Sequence, residues 1–101
     1  MKLSGRKIKE GVMDLKVTIE IWQKGRWYVA RCPELDFVSQ GATQTEARHN
    51  LLEVIQIQFE EMNALGTLED YLLECDYARE NGTLVPQSEM VSFERSAIQV
   101  V

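Results

Sequence analysis

The first half of the chain contains three short segments in which apolar and polar residues alternate, the pattern of half-buried β-strands. The first covers residues 15–23, the second residues 27–32 and the third residues 37–40. Lys24-Gly25 suits a tight hairpin turn between the first two segments. Pro33 lacks a backbone N–H, so it ends the second strand. We therefore predict an antiparallel sheet that begins with a β-hairpin.

A long amphipathic helix is predicted over residues 43–65, where apolar positions recur about every 3.6 residues. Thr43 and Glu46 have the spacing of a capping box, which closes the first turn of a helix. Gly66 suits the left-handed position that follows a helix C-terminus. The apolar arc of this helix comprises Ala47, Leu51, Val54, Ile55, Phe59, Met62 and Leu65.

Shorter elements are predicted after the long helix. A second helix is expected from Thr67 to about Tyr77, because apolar residues again recur with helical spacing. Asn81-Gly82 is a strong turn signal, and the short extended stretch of residues 84–85 follows it. Pro86 separates that stretch from the rest of the chain.

Residues 90–101 have the composition of a final strand, interrupted by a bulge near residues 94–96. The predicted order is β-β-β-α-α-β and the fold class is α+β. Two layers are expected, an antiparallel sheet of three to four strands and a long helix that covers one face of it. Residues 14–101 are predicted to form a single domain, preceded by a basic, flexible N-terminal tail of residues 1–13.

The most specific motif lies in residues 28–47, which read YVARCPELDFVSQGATQTEA. The motif resembles the signature of HicB-like proteins, the antitoxins of HicA–HicB toxin–antitoxin systems. In that family a Tyr-Val-Ala-Glu-Cys-Pro-Glu-Leu core leads to a Val-Ser-Gln-Gly strand and a Thr-led helix. The resemblance extends over roughly residues 13–65. It implies a partial ribonuclease H fold, a cytoplasmic location and stoichiometric binding to a small basic HicA-type ribonuclease.

Charge is distributed unevenly along this chain of 101 residues, whose net charge is −5. Residues 1–12 contain four basic residues and one acidic residue, whereas residues 13–101 contain seven basic and fifteen acidic residues. A negative field repels nucleic-acid phosphates and attracts basic partners. We therefore expect no direct nucleic acid binding by the domain. The apolar runs are too short to cross a membrane, so no membrane association is expected.

Many HicB antitoxins carry a C-terminal helix-turn-helix or ribbon-helix-helix domain that binds DNA. The residues after Gly66 instead indicate a short helix, a turn and an extended segment, without a basic recognition helix. The chain therefore resembles a short form of the family that lacks a C-terminal DNA-binding domain.

The candidate catalytic residues do not form a recognisable site. Glu20 and Glu34 belong to different elements, and a two-metal nuclease site needs carboxylates that converge on metal ions about 4 Å apart. His49 is the only histidine, and it lies on the polar side of the long helix. Cys32 and Cys75 lack the spacing of zinc ligands and are expected to pack as small apolar side chains. We expect no catalytic residues, no metal and no cofactor.

The sheet face opposite the long helix is the predicted partner-binding surface. Alternation along the strands places Trp22, Trp27 and Val29 on this face, together with Glu20 and Arg31. Large aromatic side chains on an uncovered face are typical of an interface. The alternative is local packing of the two tryptophans against each other across the hairpin.

The final predicted strand is the candidate for self-association. Val91, Phe93, Ile98 and Val100 give residues 90–101 an apolar character. Such a strand either completes the sheet of its own copy or adds to the sheet edge of another copy. A homodimer or homotetramer is therefore expected.

The expected function is that of a HicB-like protein-binding module. It would be an antitoxin, or a solitary relative of one, that neutralises a HicA-type toxin by binding it. Two alternatives stay open at this point: a non-catalytic structural homo-oligomer without a toxin partner, and a degenerate ribonuclease H-like enzyme. The enzyme would require a convergent acidic or histidine-centred site with a divalent metal.

Overall fold

Five strands and two helices follow one another along residues 14–101, the part of the chain that the computed structural model describes. The fold class is α+β, as predicted. The predicted basic tail of residues 1–13 lies outside the described residues. The elements are β1 (Glu20–Lys24), β2 (Trp27–Cys32), β3 (Phe37–Gly41), α1 (Gln44–Leu65), α2 (Leu68–Glu74), β4 (Tyr77–Glu80) and β5 (Thr83–Pro86).

The first three strands form an antiparallel sheet in the order β1-β2-β3, and α1 packs across β2 and β3. The side of the sheet that faces α1 is buried. Ala30 and Cys32 of β2 are inaccessible to solvent, and so is Leu51 of α1. Burial of such side chains removes apolar surface from water, which is the main force that holds the two layers together. The predicted arrangement of a sheet covered on one face by a long helix is confirmed.

The limits of α1 coincide with the predicted capping residues. Thr43 Oγ1 accepts a hydrogen bond from the Glu46 amide at 3.0 Å, and Glu46 Oε1 accepts one from the Ala42 amide at 2.5 Å. Gly66 ends the helix with a φ of 76°, a left-handed conformation that favours glycine. The exception on the apolar arc is Leu65, which is 70% exposed.

β1 is shorter than the predicted strand of residues 15–23, since regular pairing with β2 begins only at Glu20. The partner strand ends before Pro33, so earlier residues have no ladder to join. The carboxylate of Glu34 accepts hydrogen bonds from this segment instead. The Thr18 amide donates to Glu34 Oε1 at 2.9 Å, and the Thr18 hydroxyl donates to Glu34 Oε2 at 2.5 Å.

The residues just before β1 also connect the two sheets of the domain. Leu15 forms an isolated parallel bridge with Leu84 of β5. The buried Tyr77 of β4 donates its hydroxyl hydrogen to the carbonyl of Lys16 at 2.7 Å. These contacts place the β4–β5 hairpin beside the start of β1, where it supplies the last regular β element.

The second helix ends earlier than predicted. α2 stops at Glu74, and Asp76 adopts a positive φ of 70°, which turns the chain so that Tyr77 begins β4 instead of ending the helix. β4 and β5 pair antiparallel around the predicted turn at Asn81-Gly82. The predicted extended stretch of residues 84–85 lies within β5.

The prediction of a final strand over residues 90–101 is wrong, since these residues have no regular secondary structure. A strand is stabilised by the hydrogen bonds of a neighbouring strand, and none of the described strands pairs with this segment. Its apolar side chains are exposed: the relative accessibility is 91% for Val91 and 89% for Val100.

The link between Thr18 and Glu34 leads to a pH-dependent prediction. Burial raises the pKa of Glu34, but the hydrogen bonds that its carboxylate accepts, chiefly those from Thr18, together outweigh burial, and the net pKa lies below its usual value of 4.5. A depressed carboxyl pKa stabilises the fold above the unfolded-state pKa, and this contribution disappears as the pH falls through the folded-state pKa.

We expect Thr18→Val to lower the free energy of unfolding by about 1–2 kcal/mol at pH 7, because one of the hydrogen bonds to a charged acceptor is lost. The difference from the unsubstituted chain should shrink as the pH falls below 4.5 and through the lower pKa of Glu34 in the folded state, because the carboxyl is then protonated in both states. Urea denaturation at several pH values measures this. The control is Thr45→Val on the exposed side of α1, with an expected change within about 0.5 kcal/mol. A Thr18→Val loss that does not change with pH would contradict the explanation.

Candidate protein-binding face

The side of the three-stranded sheet opposite α1 is called here the open sheet face. The register places Glu20, Arg31 and Val38 in one cross-strand row of this face. In the described part of the chain both helices pack on the other side of the sheet, where Phe37 stacks on Tyr71 of α2. The members of the open sheet face are Glu20, Trp22, Lys24, Trp27, Val29, Arg31, Val38 and Gln40.

Both tryptophans lie on the open sheet face, as predicted. Trp22 is 45% exposed and Trp27 is 48% exposed. They are not opposite each other, because Trp22 pairs with Val29 and Trp27 pairs with Lys24. The two indoles are therefore diagonal neighbours, and the described residues include no stacking contact between them. The alternative interpretation, in which the tryptophans serve only to pack against each other, is not supported.

Trp22 is held in place by hydrogen bonding and by an aromatic contact. Its indole Nε1–H donates to Glu20 Oε1 at 3.0 Å. Its ring meets the ring of Phe93 edge-on, with centroids 6.0 Å apart and an interplanar angle of 60°. An indole that is already oriented loses little conformational freedom when a partner covers it, which favours binding.

Glu20 also connects the tryptophan to the neighbouring strand. Arg31 Nη1 lies 3.4 Å from the same Glu20 oxygen, and the side chain of Arg31 is 42% exposed while that of Glu20 is 16% exposed. A pair this accessible to water stabilises the fold by at most about 1 kcal/mol. Its clearer consequence is geometric, because one carboxylate orients both an aromatic ring and a guanidinium on the open sheet face.

The acidic residues concentrate away from the open sheet face. α1 and α2 together contain seven acidic residues and a single arginine, Arg48. The open sheet face contains one carboxylate, Glu20, and two cations, Lys24 and Arg31. The negative field of the domain therefore arises largely from its helical layer, whereas the exposed aromatic surface lies on the sheet.

The candidate catalytic residues do not converge. Within residues 14–101, no group of three or more His, Cys, Asp or Glu side chains is arranged to hold a metal ion. Glu20 lies on the open sheet face, whereas Glu34 bonds to Thr18 at the corner after β2. His49 is exposed on α1, on the polar side as predicted. This arrangement supplies no general base paired with a nucleophile.

The two cysteines occupy the apolar layer between sheet and helices. Cys32 is fully buried, and Cys75 is half-buried. Burial raises the pKa of the Cys32 thiol to about 11, and the nearby Glu34 carboxylate adds to this effect. A thiol with so high a pKa stays protonated and is a poor nucleophile at neutral pH. Cys32 therefore acts as a small packing residue.

Sequence reasoning missed four residues of this region. Lys24 was assigned to the hairpin turn, but it pairs with Trp27 at the end of β1. Val38 is 54% exposed and lies beside Arg31, and Gln40 lies beside Val29. Alternation from Phe37 would have placed both on the open sheet face, once Phe37 was assigned to the core. Phe93 had no sequence signal for its position, because its contact with Trp22 depends on the path of an irregular segment.

Comparison with protein-family models, with curated proteins and with solved structures finds no match to this chain. No helix within residues 14–101 combines the length and apolar content needed to span a lipid bilayer.

Proposed function

We propose that this chain is a HicB-like antitoxin, a cytoplasmic and non-catalytic module that neutralises a small basic ribonuclease by binding it. The observation that carries the proposal is the pair of half-exposed tryptophans on the open sheet face. In this mechanism the face covers the active surface of the ribonuclease, so that RNA no longer reaches it. The binding is stoichiometric, because the antitoxin blocks its partner and does not modify it.

The exposed tryptophans supply enough apolar surface for a specific contact. A tryptophan buries about 150–250 Å² when fully covered, so each half-exposed indole offers roughly 100 Å² to a partner. At about 25 cal/mol per Å², this corresponds to about 2.5 kcal/mol for each indole. Val38 extends the apolar patch across β3. Interfaces often depend on a few aromatic side chains of this kind.

The charge distribution supports a basic partner. The helical layer contributes seven acidic residues, and a negative field accelerates the encounter with a positively charged protein. The same field disfavours direct binding of RNA or DNA by the domain. The field attracts a basic ribonuclease to the domain as a whole, and the tryptophans on the side of the sheet opposite the helices then provide the contact.

The motif that resembles HicB proteins has a structural role consistent with this proposal. Cys32 and Leu35 are buried beneath α1 and α2, and Glu34 fixes the segment before β1 through Thr18. The motif thereby determines the corner from which the hairpin and its open sheet face extend. The motif therefore forms part of the scaffold for binding, and it places no reactive group at the surface.

A second candidate function is a structural homo-oligomer without a toxin partner. The exposed apolar side chains of residues 90–101 favour it. The two functions differ in one measurable respect, since only the antitoxin inhibits a ribonuclease. A degenerate ribonuclease H-like enzyme has no comparable support from the described residues, whose carboxylates do not converge.

The proposal is tested by capture from the native cell. We expect the tagged full chain to co-purify with a small basic protein, identified by mass spectrometry, that cleaves RNA after it is separated from the complex. The double variant Trp22→Glu/Trp27→Glu should lose this partner, because two charges on the open sheet face prevent burial of its apolar surface.

The control for the capture is Ile57→Glu, which adds a charge at a 54% exposed position on α1 and should retain the partner. Circular dichroism of both variants establishes that they are folded. The proposal would be contradicted if no ribonuclease were captured, or if the double tryptophan variant captured it as well as the control did.

A further inference from the structure

Residues 88–95, called here the cap segment, run along the free edge of β1. The bridge between Leu15 and Leu84 is parallel, so β5 runs in the same direction as the residues that lead into β1. The chain continues in this direction after β5, and Phe93 reaches Trp22 in the middle of β1. Because β1 is an outer strand of the sheet, the cap segment lies at the border of the open sheet face.

Phe93 covers part of the indole of Trp22. The two rings meet edge-on with centroids 6.0 Å apart, and both line an open cleft of about 470 Å³ at the side of β1. Phe93 itself is 63% exposed, so it projects into solvent beside the indole. A partner that approaches Trp22 from this side meets Phe93 first. Close packing of a partner against the whole indole therefore requires Phe93 to move.

The cap segment also places a positive charge beside Trp22. Arg95 lines the same cleft as Glu20, whose carboxylate is already shared between the Trp22 indole and Arg31. Among residues 14–101, no carboxylate lies within ion-pair distance of Arg95. A cation without a partner opposes the approach of a basic protein, since like charges across an interface are unfavourable. The observed position of the cap segment thus disfavours the kind of partner that the acidic helices attract.

Few interactions hold the cap segment in this position. Its start is fixed by Asp76, whose main-chain carbonyl accepts a hydrogen bond from the Gln87 amide at 2.9 Å and whose carboxylate accepts one from the Ser88 hydroxyl at 3.2 Å. Within the described part of the chain, no hydrogen bond joins residues 89–95 to a strand or a helix. A segment held by so few bonds opens at a low cost in free energy. The cap segment can therefore leave Trp22 while the strands and helices stay in place.

Trp22 keeps its orientation when Phe93 leaves. The indole Nε1–H donates to Glu20 Oε1 at 3.0 Å, and this hydrogen bond involves no residue of the cap segment. Glu20 belongs to the same strand as Trp22, and its carboxylate also contacts Arg31 of β2. A chain with the cap segment displaced therefore presents an indole that is still oriented and has more of its surface available to a partner.

We propose that the cap segment is an autoinhibitory element, which covers Trp22 through Phe93 in the free chain and is displaced when a partner binds the open sheet face. The identity of that partner, a basic ribonuclease, rests on the proposed function. An aromatic pair of this geometry favours the closed state over the open state by about 2-fold to 12-fold. Because only the open state binds fully, the apparent affinity falls with the fraction of open chains.

Fluorescence quenching of the full chain alone tests whether the cap segment covers Trp22. In a Trp27→Phe background Trp22 is the only tryptophan, so its emission reports how accessible it is to acrylamide. Phe93→Ala should raise the Stern–Volmer constant, because more of the indole is then open to the quencher. Val91→Ala is the matched control in the same segment, since Val91 is 91% exposed, and it should leave the constant unchanged. Equal quenching of the two variants would overturn the proposal.

Titration calorimetry with the captured ribonuclease tests the inhibition itself. Phe93→Ala should bind about 3-fold to 10-fold more tightly than the unsubstituted chain, because the closed state no longer competes with binding. Val91→Ala should bind with unchanged affinity. Unchanged or weaker binding by Phe93→Ala would overturn the proposal, since Phe93 would then not restrict the contact. The quenching experiment needs no ribonuclease, so failure to capture one contradicts the proposed function and leaves the quenching result to decide whether the cap segment covers Trp22.

Discussion

Replacing Leu51 with alanine should lower the free energy of unfolding by about 3 kcal/mol, within a range of about 2–5 kcal/mol. Leu51 lies in the middle of α1, is fully buried, and packs in the single core cluster with Ala30 and Cys32 of β2. Truncation removes apolar contacts and leaves a cavity that a small, tightly packed domain cannot close completely. Urea denaturation followed by circular dichroism measures the change.

The same substitution at the end of the same helix provides the control. Leu65 is 70% exposed, so Leu65→Ala should change the free energy of unfolding by no more than about 0.5 kcal/mol. Comparable losses for Leu51→Ala and Leu65→Ala would show that α1 does not pack against the sheet through the face described. A large loss for Leu51→Ala alone supports the two-layer core.

Replacing Trp22 with alanine should weaken binding to the captured ribonuclease by about 30-fold to 1,000-fold, which corresponds to about 2–4 kcal/mol. The substitution removes the largest oriented apolar group of the open sheet face and leaves Glu20 without its indole donor. Isothermal titration calorimetry with the purified ribonuclease measures the affinity. Most of the effect should appear as faster dissociation.

Two further variants separate this effect from changes elsewhere. Trp27→Ala should also weaken binding. This variant is informative because the aromatic contact with Phe93 is made by Trp22, so Trp27→Ala removes an indole from the open sheet face without disturbing that contact. Ile57→Ala removes an exposed apolar residue from α1 and should leave the affinity unchanged. If the two tryptophan variants bound as tightly as Ile57→Ala, the open sheet face would not be the contact surface.

The elements with strong local signals were predictable from sequence. Thr43, Glu46 and Gly66 set the limits of α1 because capping depends on residues close in sequence. The β1–β2 hairpin followed from alternation and from Gly25, whose φ of 65° suits a tight turn. Its loop consists of Gly25 and Arg26, one residue later than predicted, since Lys24 pairs with Trp27.

The elements that depend on distant residues were not predictable. The start of β1 is set by Thr18 and Glu34, which are sixteen positions apart. The end of α2 depends on the left-handed Asp76, an uncommon conformation without a clear sequence signal. Residues 90–101 have strand composition, but a strand needs a neighbour, and composition does not specify which chain supplies it.

The candidate site was predicted only in part, because local alternation identifies some of its residues and contacts between distant residues determine the others. Alternation along β1 and β2 placed Trp22, Trp27 and Val29 on one face, because the side-chain period of a strand is two residues. The contribution of β3 was missed because Phe37 was not assigned to the core; with Phe37 in the core, alternation puts Val38 and Gln40 on the open sheet face. The bonds from Trp22 and Arg31 to one oxygen of Glu20 depend on three-dimensional placement.

Inhibition of the captured ribonuclease by titration with the full chain tests the central claim most directly. RNA cleavage should fall in proportion to the amount of chain added. It should reach zero when each ribonuclease molecule is covered by one open sheet face, because inhibition is stoichiometric. The Ile57→Glu variant should give the same titration curve, and Trp22→Glu/Trp27→Glu should not inhibit. Undiminished cleavage in the presence of excess unsubstituted chain, or equal inhibition by the double tryptophan variant, would contradict the claim that the open sheet face neutralises a ribonuclease.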